Sequence, residues 1–244
     1  MARPRLGQAL AALAALVACG VLISLGTWQL RRGAWKAALI ARVQANAHAL
    51  IVAAPSIETW ARSDPLTWDY RRVEATGHYL EGRPALVRAS TALGPGYWVM
   101  VPLQRADGGI VLINRGLIAT DHRETFERAD AASRDAHAAE AVTVTGLLRL
   151  PEPNGFWPRS NSPASERWFS RDIPSIAAAR GLADVAPYFI DADASPAPSG
   201  EPIGGLTVLA FPDNHLLYAV TWYALALLLA GGTIVGFRTK SLNE

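Results

Sequence analysis

Hydropathy divides the chain into two uncharged apolar tracts and, between them, a long run of short alternating segments. Residues 6–30, "LGQALAALAALVACGVLISLGTWQL", carry no charge, and neither do residues 216–237. A helix needs about 20 residues to cross roughly 30 Å of hydrocarbon, and its backbone must be satisfied internally there. The pattern therefore predicts transmembrane helices at 8–30 and 215–237. Helical spacing continues past the first tract: Trp28, Arg32 and Trp35 fall at i, i+4 and i+7 and share a face. The first helix is expected to project as an amphipathic stalk that Pro55 ends.

Beyond Pro55 the period changes. Residues 70–80, 84–90, 96–104, 108–116, 141–150, 187–192 and 205–211 are short, rich in β-branched and aromatic residues, and separated by Gly and Pro. "RADGG" at 105–109 signals a hairpin. "DIPSIAAARG" at 172–181 reads as one short helix, with Asp172 as N-cap, Pro174 in the first turn and Gly181 beyond the end. Residues 121–140 are charged and Ala-rich, an exposed helix or a mobile excursion, and 151–166 and 193–202 are long loops. Strands outnumber helices without βα alternation. The expectation is an α+β membrane protein, with two transmembrane helices flanking a mostly antiparallel sheet or small barrel with accessory helices, at 31–214.

Charge sets the orientation. Arg3 and Arg5 precede the first tract, and Arg238 and Lys240 follow the second. Positive residues favour the cytoplasmic side, so segments 1–7 and 238–244 are expected inside and 31–214 outside, in the periplasm of a bacterial inner membrane. Arg31, Arg32 and Lys36 oppose this locally, but the intervening region exceeds the length over which the charge rule operates. "LVAC" at 16–19 resembles a lipoprotein cleavage box, yet the apolar run continues past Cys19 to transmembrane length, which predicts a retained anchor. The net charge of +2 gives no basic excess for nucleic acid, and one cysteine allows neither an internal disulfide nor a cysteine-based zinc site.

No GxSxG, HExxH, P-loop or GxGxxG occurs, so no enzyme activity is expected. His48, His78, His122 and His137 are scattered without neighbouring ligand types. His215 differs, because it follows Asp213 and Asn214 at the mouth of the second tract, with Tyr218 and Trp222 at i+3 and i+7. One reading is an interfacial aromatic belt; the other is a metal ligand, an imidazole for haem iron in an aromatic crevice. Trp28 and Gln29 close the first tract and would lie near His215 if the two helices pair. Gly232 with Gly236, and Gly20 with Ser24, have small-residue spacings that permit close helix contact. Arg115 within "INRG" could clamp a carboxylate, or serve the local structure.

"GTWQLRRGAWK" (26–36), "YRRV" (70–73), "GYWVMVPL" (96–103), "INRG" (113–116), "GLLRLPEP" (146–153), "RWFSRD" (167–172), "PIGG" (202–205) and "NHLLYAVTWYALA" (214–226) occur in that order. Together they resemble the surfeit locus protein 1 family of cytochrome c oxidase assembly factors. The resemblance implies a non-enzymatic factor in the membrane that carries the oxidase, acting where haem a enters the catalytic subunit, with haem a synthase as a further partner. It implies haem a as a transient cofactor and His215 as its axial ligand. Trp28, Gln29, Arg32, Tyr218, Thr221 and Trp222 would stand alongside, and the carboxylate that Arg115 could clamp on the reading of the residues would then include a haem propionate. A membrane scaffold that stabilises an oxidase subunit without binding haem is the alternative.

Overall fold

The computed structural model describes residues 6–80, 84–133, 141–153, 160–194 and 202–242. They form two compact units: residues 43–209, and the two terminal segments 1–42 and 210–244.

The first of these units is a β domain. Its strands are β1 (Val52–Ala53), β2 (Arg72–Tyr79), β3 (Ala85–Thr91), β4 (Gly94–Arg105), β5 (Ile110–Ala119), β6 (Val142–Arg149) and β7 (Val185–Ala192). They join in the order β1-β2-β6-β7-β5-β4-β3, and a further pairing of β2 with β4 closes a ring. Only β1 with β2 and β5 with β7 run parallel. The expected small barrel is thus present, with β3 as a flap on β4. Val73, Leu103, Val111, Ile113, Leu148, Tyr188 and Ile190 share one core cluster. They come from every strand of the ring, and only its inner face lets them meet. Side chains alternate along a strand, so Leu112 and Phe189 point outward, into a second cluster with Trp168, Ile173 and Ile176. Because β5 is covered on both faces, it reads as the continuous apolar run "IVLI".

The outer cover includes the predicted short helix, Ile173–Arg180. Gly181 ends it in the left-handed conformation (φ 62°). Asp172 precedes it as expected, but its carboxylate accepts from the Ser175 hydroxyl at 2.5 Å and not from a backbone N–H. Residues 121–140 are helical over Arg123–Ser133, while 134–140, with His137, lie outside the described residues. Two expectations fail. The first helix, α1 (Leu6–Ala47), stops well before Pro55, because Val52 and Ala53 pair with Val73 and Glu74. Residues 205–211 form no strand; the Gly205 N–H donates to the Ala192 carbonyl and the Thr207 hydroxyl to Asp191, while the bridge of Leu117 with Ile203 lies just before the segment.

Helices α2 (Ile57–Ala61), α3 (Pro65–Trp68), α4 (Arg123–Ser133) and α5 (Ile173–Arg180) belong to the β domain, and the other unit contains most of α1 and α6 (His215–Leu242). These are the two helices among the described residues long and apolar enough to span a membrane. Only 6% of each apolar window is buried, which distinguishes them from core helices of a globule. They pair antiparallel: the Cys19 thiol reaches the Ala226 carbonyl (3.6 Å), Thr27 Oγ1 meets Tyr223 Oη (3.0 Å), and Gln29 meets His215. A Cβ on Gly26 would stand 2.9 Å from the Tyr223 ring, and one on Gly33 3.1 Å from His215 Cβ. Cys19, Gly26 and Gly33 recur every seventh residue, facing Ala226, Tyr223 and His215 across the seam, with Ala219 and Ala226 buried. That is coiled-coil spacing. The expected contacts at Gly20, Gly232 and Gly236 do not form, since a Cβ at any of them would meet nothing within 4 Å.

Candidate functional site

At the start of α6, the His215 N–H donates to Asp213 Oδ1 (3.0 Å), and the Tyr218 N–H donates to the Asn214 carbonyl (3.1 Å). Asp213 thereby satisfies one of the backbone donors that a helix start leaves unpaired. Lys36 Nζ donates to the Pro212 carbonyl at 2.5 Å, fixing the approach of the chain to that turn. The turn orients the His215 ring toward α1, where Nδ1 lies 2.7 Å from Gln29 Oε1. With the amide oxygen facing the ring, the contact has Nδ1 as donor, and in the neutral imidazole that leaves the lone pair on Nε2. Among the described residues Nε2 makes no hydrogen bond.

The other predicted residues take separate positions. Trp28 and Tyr218 are 56% and 54% exposed, and Trp222 is half-buried. The Arg32 guanidinium sits 4.1 Å from the centroid of the Trp35 ring, a cation–π pair on the shared face that their spacing predicts. Arg115 belongs to the β domain, where its guanidinium lies over the Tyr79 ring at 5.0 Å. His48 Nδ1 bonds to the Gln44 carbonyl (2.8 Å), and His78 is exposed. Among the described residues no group of three or more His, Cys, Asp or Glu side chains could hold a metal ion.

The β domain contains a polar centre that the sequence reading does not single out. Asp191, 5% exposed, accepts on Oδ1 from Asn114 Nδ2 (2.7 Å) and Arg171 Nη1 (3.0 Å). On Oδ2 it accepts from Thr207 Oγ1 (2.9 Å) and Arg149 Nη1 (3.3 Å). Arg171 is gripped further by Glu152, through Nε at 3.0 Å and Nη2 at 2.5 Å. Burial pushes the Glu152 carboxyl up, but bonds and charge from Arg171 more than offset this and hold it below the usual glutamate range. Arg149 lies 4.0 Å over the Tyr70 ring, and burial raises the Tyr70 hydroxyl. Trp98, Asn114, Arg149, Arg171, Asp191 and Thr207 line a cavity of about 360 Å³. The signal for this centre is a carboxylate at the end of "PYFIDA", on the same side of β7 as the buried Phe189.

Two of the quoted motifs meet here as backbone. Gly116 of "INRG" has φ 129°, and a Cβ on it would stand 2.2 Å from the Ile203 carbonyl oxygen of "PIGG". Only glycine suits that conformation and that approach. Leu117 and Ile203 then exchange two backbone hydrogen bonds of 2.9 Å.

Comparison with known proteins places most of the chain in one family. The model of the SURF1 family matches residues 16–227. Surfeit locus protein 1 of Mus musculus is 30% identical over 222 residues, covering 82% of this chain and 67% of the relative. The Rattus norvegicus protein of the same name is 28% identical over 220 residues, with coverage of 82% and 67%. A SURF1-like protein of Drosophila melanogaster is 31% identical over 224 residues, covering 83% and 69%. The chain belongs to the SURF1 family.

Proposed function

We propose that this chain is a membrane-bound, non-enzymatic assembly factor for cytochrome c oxidase that holds haem a for insertion into the catalytic subunit. Its ligand would be Nε2 of His215. In this reading both termini are cytoplasmic, α1 and α6 cross the membrane, residues 31–214 lie in the periplasm, and haem a synthase is the neighbouring donor.

One observation carries the reading: a histidine at the mouth of an apolar helix pair has its Nδ1 engaged and its Nε2 open. The donor set fits a chelated iron better than a bare ion. Among the described residues His215 belongs to no cluster of three or more His, Cys, Asp or Glu side chains that could complete a coordination shell, whereas a macrocycle brings four ligands of its own. Haem a would supply an iron able to take an imidazole nitrogen, and His215 would hold it. The chain's share is to present one nitrogen, Nε2, with the ring oriented by the contact between Nδ1 and Gln29. Trp28 and Tyr218 offer exposed aromatic surface on the same two helices. A single protein ligand suits a carrier, since release requires breaking one bond.

The test is an optical spectrum of protein purified from cells that make haem a. The parent chain should copurify with haem a absorption, and His215→Ala should lose it. A colourless parent favours the scaffold reading. An unchanged spectrum for His215→Ala removes the ligand assignment.

A further inference from the structure

We infer that Gln29 is a positioning residue for His215, acting through the imidazole tautomer and not by touching the ligand. This rests on the ligand reading proposed above, but its physical core concerns the ligand-free chain.

A neutral imidazole carries one proton, and in water Nε2 and Nδ1 compete for it. A histidine protonated on Nε2 cannot use that nitrogen to bind a metal. Gln29 Oε1 at 2.7 Å from Nδ1 decides the competition in favour of Nδ1–H. Metal-binding histidines are commonly held in this way: the ring N–H away from the metal donates to an oxygen, which fixes ring orientation and raises the basicity of the other nitrogen.

The geometry around the pair is built for this contact. Gly33 lies one turn beyond Gln29 on α1, and a Cβ there would stand 3.1 Å from His215 Cβ, so a side chain at this position would crowd the histidine. Seven residues earlier, Gly26 admits the Tyr223 ring, which in turn bonds to Thr27. Both glycines bring α6 close enough for the short Gln29 side chain to reach Nδ1. The Asp213 cap fixes the other end of the same residue through its backbone N–H. Position, approach and proton are thus each set by a different neighbour.

The experiment uses the full chain in detergent with ¹⁵N-labelled histidine, without porphyrin, at an alkaline pH where imidazoles are neutral. Long-range ¹H–¹⁵N spectra should show His215 protonated on Nδ1 in the parent. Gln29→Leu should move the proton toward Nε2, and Gln29→Glu, which keeps an acceptor, should restore Nδ1–H. Iron protoporphyrin IX is then titrated into each. Gln29→Leu should bind it roughly 10- to 100-fold more weakly, and Gln29→Glu should recover binding with a lowered iron reduction potential. Helical circular dichroism of each variant checks that the fold persists; an unfolded Gln29→Leu leaves the parent and Gln29→Glu spectra to decide. A parent ring protonated on Nε2, or a tautomer indifferent to Gln29→Leu, overturns the inference. If the tautomer behaves as stated but His215→Ala binds the porphyrin as the parent does, the ligand reading fails and the tautomer assignment stands.

Discussion

Asn114 Nδ2 donates to Asp191 Oδ1 at 2.7 Å, and both side chains are buried, 77 positions apart in the chain. The same carboxylate takes Arg149, Arg171 and Thr207, so it compensates two guanidiniums within the domain. Removing it leaves those charges without their shared partner. Asp191→Ala should therefore destabilise the β domain by about 3–5 kcal/mol, read from denaturant unfolding followed by tryptophan fluorescence. Asn114→Ala removes one neutral donor and should cost about 1–3 kcal/mol. Equal losses from the two substitutions would mean that Asp191 is not the centre of the network.

The turn at Gly116 makes a second, backbone-based prediction. Gly108 also has positive φ (85°), but a Cβ there would meet nothing within 4 Å. Gly108→Ala should show strain alone, about 1–3 kcal/mol. Gly116→Ala adds collision with the Ile203 carbonyl, and should cost more and also loosen residues 202–207. Melting temperature gives the first comparison and limited proteolysis of that segment the second. The reverse order of costs would contradict the packing of "INRG" against "PIGG".

Tyr188 links stability to pH. Its hydroxyl donates to the Pro55 carbonyl at 2.5 Å, its ring packs on Trp60 with centroids 4.9 Å apart, and burial pushes its pKa up to about 12. Folding therefore favours the protonated phenol. The associated stability is complete below the unfolded value near 10 and is lost as pH rises from there toward 12. Two pH units correspond to about 3 kcal/mol. Unfolding free energy should fall across pH 10–12 in the parent and fall less in Tyr188→Phe. Parallel pH curves for the two proteins would show that Tyr188 does not carry the effect.

How much of this was legible depends on the range of the interactions. β5 and β7 could be read directly, because their branched and aromatic residues suit a pleated, covered surface whatever pairs with them. Residues 205–211 have the same composition but no ladder. Gly205 turns with φ 71° and donates its N–H to the Ala192 carbonyl, and Thr207 gives its hydroxyl to Asp191. Side-chain partners from elsewhere override the local strand preference there. The Asp191 centre stayed hidden for the same reason, since its donors sit at positions 114, 149, 171 and 207. His215 could be noticed because a titratable group opening an apolar helix is conspicuous. The tautomer set by Gln29 could not, because it depends on the exact helix pairing. The small-residue spacings visible in the sequence, Gly20 with Ser24 and Gly232 with Gly236, are of four residues, whereas this antiparallel pair uses every seventh residue, at Cys19, Gly26 and Gly33.

That seam gives the last prediction. Cys19 Sγ lies 3.6 Å from the Ala226 carbonyl, so α1 and α6 are close at this depth. In an Ala226→Cys background, mild oxidation should link Cys19 to the introduced thiol, because a disulfide forms only where the backbones already approach to within about 7 Å. Adding Gly26→Leu places a side chain where the Tyr223 ring stands and breaks the Thr27–Tyr223 contact. Small residues permit close approach of apolar helices in lipid, where no hydrophobic force draws the helices together. Gly26→Leu should therefore lower the cross-linked fraction severalfold, and Gly232→Leu, at a glycine that a side chain would leave in open space, should not. Band shifts on a non-reducing gel measure both. Cross-linking that survives Gly26→Leu but is lost in Gly232→Leu would place the helix contact on the other glycine face and separate Gln29 from His215.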